Sequence, residues 1–173
     1  MKIYLLDNNP LVTAAWAQYF GSEPEFSVMT DDFKHFMDNN KVECVVSPGN
    51  SKGIMRGGYD FAISEYFGWE LTDRVQEHIV KHYKGLQKPG TAFIIAIPNS
   101  KIKLIHCPTM VKPSVIKNPK VVKDCTIATL QLAKKHKINS IVIPAFGGFT
   151  GKVNPNDLAK LMYEGYQQIK KEA

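Results

Sequence analysis

Two glycine-rich runs carry the residue types and spacings on which chemistry could be built. The first reads Ser47-Pro48-Gly49-Asn50-Ser51-Lys52-Gly53 and resumes at Gly57-Gly58-Tyr59-Asp60. The second is Pro144-Ala145-Phe146-Gly147-Gly148-Phe149-Thr150-Gly151-Lys152. Backbone with little side-chain bulk lets free N–H groups approach an oxyanion. A helix that opens just after such a run adds its positive end to the same place. The chemistry expected of both runs is the holding of phosphate. Residue by residue, plainer readings also exist. Asn50 suits a turn, Asp60 complements a helix dipole, and Phe149 could plug a loop or stack on a ligand.

The specific nucleotide fingerprints are missing. The chain has no Gly-x-x-x-x-Gly-Lys-[Ser/Thr], and Gly53, Gly57 and Gly58 do not space as Gly-x-Gly-x-x-Gly. It also lacks a Gly-x-Ser-x-Gly elbow and any Cys-His arrangement that stands out. A phosphate site here must therefore be defined by the elements that carry the loops.

Those elements alternate. A strand is expected over 2–6, and Asn9-Pro10 caps a helix that stops at Gly21. A strand over 26–30 ends at Asp31-Asp32, which suit a cap for the short helix or loop over 33–41. The apolar run 42–46 feeds the first glycine-rich loop, and helices over 59–67 and 69–83 follow. The second of these puts Leu71, Val75, Ile79 and Tyr83 on one face.

Strands over 92–96 and 103–107 flank Pro98-Asn99-Ser100 as a hairpin. His106, between Ile105 and Cys107, reads as a hydrogen-bonded core histidine. Residues 108–119 hold three prolines and no period, so they are expected to be irregular. Asn118-Pro119 opens a helix to about His136. The strand 140–143 enters the second glycine-rich loop, and Asn154-Pro155 caps a last helix. Trp16 and Trp69 are expected in the core. The pattern predicts an α/β fold, a three-layer α/β/α sandwich with a mixed central sheet. Both glycine-rich loops follow strands and so open at the carboxyl edge of one sheet, where such folds hold ligands. Two loops on one crevice would grip a diphosphate.

The bulk composition sets the outer limits. At 173 residues, with 44% hydrophobic and 22% charged residues, a single globular domain over 1–173 is expected. No stretch approaches the roughly 18 apolar residues of a membrane span. No secretory signal is visible, and Cys44, Cys107 and Cys125 read as free buried thiols, so the expected compartment is cytoplasmic. No metal site and no cofactor are expected. The net charge of +6 and pI near 9.1 favour anionic partners such as a nucleotide, RNA or a metabolite. Lys117, Lys120, Lys123, Lys134, Lys135 and Lys137 nevertheless surround one helix and suffice to solvate it. Without a basic-aromatic ribbon, nucleic acid is weakly supported, and Lys152 reads as solvated.

Taken together, the chain resembles the macro domain family, which binds ADP-ribose and often hydrolyses its derivatives. Val45-Val46-Ser47-Pro48-Gly49-Asn50 matches the family strand ending in Asn-Ala-Ala-Asn, and Gly57-Gly58-Tyr59-Asp60 matches its Gly-Val-Asp. Lys103-Leu104-Ile105-His106-Cys107-Pro108 resembles its strand ending in histidine, and 141–151 its second phosphate loop. The resemblance implies that Asn50 bonds the distal ribose hydroxyls and that Asp60 orients or activates a water near C1″. It implies ligand contacts from Gly49, Ser51, Gly57, Gly58 and Tyr59, and from Gly147, Gly148, Phe149, Thr150 and Gly151. It also implies an aspartate after the second strand on the adenine amino group, a place that Asp31 and Asp32 both fit and that is assigned to Asp32.

Ser47, Pro48, Ser64 and Phe149 depart from the usual pattern and bear on catalysis more than on binding. The implied function is binding of ADP-ribose or an ADP-ribosylated macromolecule. Hydrolysis of an ADP-ribosyl ester, phosphate or glycosidic linkage is left open. The alternatives are a non-catalytic ADP-ribose reader and an RNA-binding domain.

Overall fold

The computed structural model describes residues 1–172. In chain order the elements are β1 (Lys2–Asp7), α1 (Pro10–Phe20), β2 (Phe26–Thr30), α2 (Phe33–Asn39), β3 (Cys44–Ser47), α3 (Gly58–Phe67) and α4 (Glu70–Tyr83). They continue as β4 (Phe93–Ala96), β5 (Lys103–His106), α5 (Lys120–Lys135), β6 (Ser140–Ile143) and α6 (Pro155–Lys171). Proline follows the cap as expected in α1 and α6, where Asn9 Oδ1 accepts from Leu11 N at 3.0 Å and Asn154 Oδ1 from Asn156 N at 2.9 Å. Helix α5 starts one residue later than Asn118-Pro119 suggests, with Asn118 Oδ1 accepting from Lys120 N at 3.1 Å.

The six strands form one mixed sheet in the order β2-β1-β6-β3-β5-β4. All neighbours are parallel except β4, which pairs antiparallel with β5 as the expected hairpin. Alternating strand residues point to opposite layers. Ile3, Leu5, Cys44, Val46, Ile105, Ile141 and Ile143 join the core under α1, α5 and α6. Tyr4, Leu6, Val45, Leu104 and Val142 join the core under α2, α3 and α4. Strands apolar on both faces must be covered twice, and this is why the sheet carries helices on both sides.

Hydropathy alone misplaces some details. Strand β3 runs from Cys44 to Ser47 and not over 42–46, because pairing with β5 continues to Ser47↔His106 and draws a polar residue into the sheet. Residues 33–39 are helical, started by Asp32, whose carboxylate accepts from His35 N at 2.8 Å. Trp16 is fully buried, with its indole N–H on Met162 Sδ at 3.4 Å, but Trp69 is 40% exposed, its ring near Phe61. Trp69 precedes α4 and so lies off the inward stripe that Leu71 begins. The three cysteines are free and buried. Among the described residues no helix is long and apolar enough to cross a membrane.

Candidate functional site

The parallel strands β1, β3, β5 and β6 all end at one edge of the sheet, and a cavity of about 580 Å³ opens there. Four segments wall it: Asp7 at the end of β1, the β3–α3 loop, residues 109–113 after β5, and the glycine-rich loop after β6. Both glycine-rich loops therefore border the same space.

The first loop is shaped by Asn50. Its Nδ2 donates to Ile54 O at 2.9 Å, and its Oδ1 accepts from Lys52 N and Ile54 N, each at 3.2 Å. The turn role and the ligand role thus coexist: one amide hydrogen is committed to the loop and a second is left for a ligand. Asn50→Ala should cost roughly 2–3 kcal/mol, three bonds at about 1 kcal/mol each. Urea unfolding checks this, and wild-type stability would mean the loop holds its shape without the amide. Ser51 lies behind the wall, donating its N–H to Met110 O at 3.0 Å and accepting from Gln87 N at 2.9 Å. It does not line the cavity.

Asp60 sits in the first turn of α3 and forms part of the cavity floor. Ser47 Oγ donates to its Oδ1 at 2.6 Å. Burial pushes the carboxyl up to about 7, against the lowering effect of the Ser47 bond. His106 is fully buried at the end of β5, with Nδ1 at 2.7 Å from Gln87 Oε1, while its Nε2 has no partner among the described residues. Burial brings this imidazole down to about 3. A Cβ on Gly49 would stand 2.6 Å from His106 Nε2, 3.1 Å from Asp60 Oδ2 and 3.2 Å from Ser47 Oγ. Gly49 is therefore a thin lid over three polar atoms, and glycine is required there by the space.

Across the cavity, Gly147 adopts φ +75°, and its carbonyl accepts from Val153 N at 3.1 Å. Phe149 is 76% exposed, and its Cδ1 would lie 2.8 Å from a Cβ on Gly58. Gly58 itself has φ +55°, so both conformation and space favour glycine where the two loops meet. The ring lines the cavity while remaining exposed.

Of the residues singled out in sequence, Gly49, Asn50, Gly57, Gly58, Tyr59, Asp60, Gly147, Gly148, Phe149, Thr150 and Gly151 converge on the cavity. Asp32 does not line it. Its carboxylate is committed to the α2 cap, and Asp31 pairs with His35 at 2.6 Å. The acid after a strand that does reach the cavity is Asp7, pushed up by burial against backbone bonds from Asn9 and Asn8. The hydroxyl of Tyr59 is buried without a partner among the described residues, and desolvation, with the charges of Asp7 and Asp60, pushes its pKa up. Sequence reasoning missed Asp7, the cations Lys52, Arg56 and Lys112, and the whole 109–113 wall. Asp7 closes an apolar run much as Asp31 does, and that was the available signal. Ser64 is turned inward, donating to Met55 O at 2.9 Å and Asp60 O at 3.0 Å.

The chain thus has a glycine-lined cavity at the carboxyl edge of a six-stranded mixed sheet in a three-layer sandwich. The Macro domain family model matches residues 46–162, so the chain belongs to the macro domain family. An uncharacterized protein of Aquifex aeolicus is 31% identical over 124 residues, covering 71% of this chain and 72% of that protein. The fold is similar to the Oceanobacillus iheyensis macrodomain with ADP, at TM-score 0.67 and 21% identity, over 76% of this chain and 71% of that one. It is likewise similar to the macrodomain of Mycobacterium tuberculosis DarG, at TM-score 0.64 and 16% identity, over 76% of this chain and 85% of that one.

Proposed function

We propose that this macro domain binds ADP-ribose, free or on a modified macromolecule, between its two glycine-rich loops, and hydrolyses a linkage at the distal ribose. The observation that carries the reading is the convergence of both loops, Asn50 and Asp60 on one cavity. Similar folds from Oceanobacillus iheyensis, solved with ADP and, as a glycine-to-valine mutant, with ADPR, support it. The diphosphate lies between Gly57-Gly58-Tyr59 and residues 147–151, whose backbone can approach closely, with Gly49 bordering the same space. Asn50 meets the distal ribose hydroxyls, and Asp60 handles the reacting water or leaving group. The adenine amino group is assigned to Asp7 in place of Asp32, a reading supported by Asp7 bordering the cavity where Asp32 does not.

Calorimetric titration with ADP-ribose tests this. Saturable one-to-one binding is expected, and no heat at millimolar ligand removes the reading. Phe149→Ala should weaken binding about tenfold, the worth of one aromatic contact at roughly 1.4 kcal/mol. Unchanged affinity in that variant would make Phe149 a bystander. Release of ADP-ribose from a modified substrate separates hydrolase from reader.

A further inference from the structure

A second cavity, of about 300 Å³, opens at the amino edge of the sheet, where β1 begins and α5 and α6 end. The glycine-rich loops lie at the other edge, so the ADP-ribose reading leaves this space unused. Its floor is apolar. Ile3 of β1, Leu130 of α5 and Ile169 of α6 are each 5% exposed or less. A volume of this order stands at the lower limit for small-molecule sites.

Three charged side chains line the cavity: Glu25, just before β2, Lys134 in the last turn of α5 and Lys170 in the last turn of α6. Lys170 is committed, with Nζ 3.3 Å from Glu23 Oε2 and 5.8 Å from the centre of the Tyr166 ring. Glu23 is thereby compensated, and it also accepts from the Tyr163 hydroxyl at 3.1 Å. Glu25 has a neutral donor instead, the Tyr166 hydroxyl, 2.6 Å from its Oε1. That hydroxyl also lies 3.1 Å from Glu23 Oε2, but it carries one hydrogen and the shorter contact takes it. Among the described residues no basic side chain pairs with Glu25, and no carboxylate pairs with Lys134.

One unpaired charge of each sign therefore borders an apolar floor. We infer that this cavity binds a free apolar α-amino acid: its ammonium meets Glu25, its carboxylate meets Lys134, and its side chain covers Ile3, Leu130 and Ile169. Charge-assisted bonds at both ends match what each group lacks. A ligand with a single charge fits less well. An alkylamine brings its ammonium towards Lys134, and a fatty acid brings its carboxylate towards Glu25. A zwitterion without an apolar body leaves the floor wet. The first residue of a peptide shares the ammonium and the side chain, but an amide replaces the carboxylate that Lys134 would hold.

Amide magnetic resonance on the whole chain, titrated with L-leucine and L-phenylalanine, tests this. Saturable shifts are expected at Ile3, Leu130 and Ile169, with Gly147 and Gly151 unmoved. Glycine, leucinamide and isocaproate each lack one part of the match and should bind at least about tenfold more weakly than leucine. Glu25→Gln, which can still accept from Tyr166, should weaken leucine about tenfold and leave isocaproate unchanged. Lys134→Gln, at an exposed position, should weaken leucine and leave leucinamide unchanged. It serves if Glu25→Gln does not fold. Saturation by neither amino acid would overturn the inference, as would leucine affinity unmoved in the folded variants. Leucinamide binding as tightly as leucine would replace the free amino acid with a peptide terminus. Equal affinity for glycine would remove the role of the floor, and displacement of leucine by ADP-ribose would put it in the other cavity. Either result overturns the inference.

Discussion

Asp60→Asn and His106→Gln are expected to change stability in opposite pH directions. Asp60 moves from an ordinary 3.8 to about 7 on folding, so the folded protein holds a proton that the unfolded chain has released. Stability contributed by that proton is complete below pH 4 and is lost as pH rises towards 7. His106 moves the other way, from 6.5 to about 3, so the unfolded chain binds a proton that the folded protein refuses. Its cost is greatest at acid pH and fades as pH rises through 6.5.

Each displacement corresponds to roughly 4–5 kcal/mol. In the wild type the two slopes nearly cancel between about pH 4 and 6.5. Asp60→Asn removes one slope, and its stability relative to wild type should climb by up to about 4 kcal/mol from pH 4 to 7. His106→Gln should gain, relative to wild type, as pH falls. Groups common to all three proteins drop out of these differences. Urea unfolding midpoints from pH 4 to 8 measure both curves, and parallel curves for the two variants would refute the assignment.

Gly53→Ala is expected to damage both stability and ligand binding, while Gly57→Ala, four residues on, spares stability. Gly53 has φ +71°, and a Cβ there would stand 2.7 Å from Val75 Cγ1 and 2.8 Å from Ile79 Cδ1. Both partners are fully buried side chains of α4. The left-handed conformation costs roughly 1–2 kcal/mol for a residue with a side chain, and overpacking adds about 1–3 kcal/mol. A combined loss of roughly 2–5 kcal/mol lowers the melting temperature by roughly 4–20 °C in a chain of this size.

The strain would also pull the Gly53 carbonyl from Thr72 Oγ1 and Gln76 Nε2, which hold the first loop against α4. At Gly57, φ is −134° and nothing lies within 4 Å of the added methyl. Stability there should stay within about 1 kcal/mol of wild type. The methyl would still project beside the cavity, so ADP-ribose affinity is expected to fall. Equal melting temperatures for the two variants would remove the distinction between them.

The layered fold and the two cavity loops were legible because hydrophobic period and glycine punctuation are local signals. Ile3 and Leu5 against Tyr4 and Leu6 show the doubly covered strand directly. Asn9-Pro10 and Asn154-Pro155 mark helix starts within one turn. The reading of His106 as a bonded core residue also agrees with its contact to Gln87. What was hidden is non-local. Asp7 and Asp31 each close an apolar run, and only the strand order, with β1 beside β6, puts the first at the cavity. Residues 109–113 have no period to read. They become a wall because Thr109 N–H reaches Gly49 O at 3.1 Å and Ser51 N–H reaches Met110 O at 3.0 Å. Gln87 gave no sign of its bond to His106, since a buried amide is defined only by what surrounds it.

The walls of the cavity come from residues 7, 48–60, 109–113 and 144–151, segments spread over most of the chain. No fragment carrying one glycine-rich loop has the other side of the site. Occupancy is therefore coupled to cooperative folding of the entire sheet. A ligand held there adds its full mass-action contribution to global unfolding, about 2.7 kcal/mol at a hundredfold excess over its dissociation constant. Melting shifts across a nucleotide panel can thus rank the molecules this protein accepts before any turnover is measured.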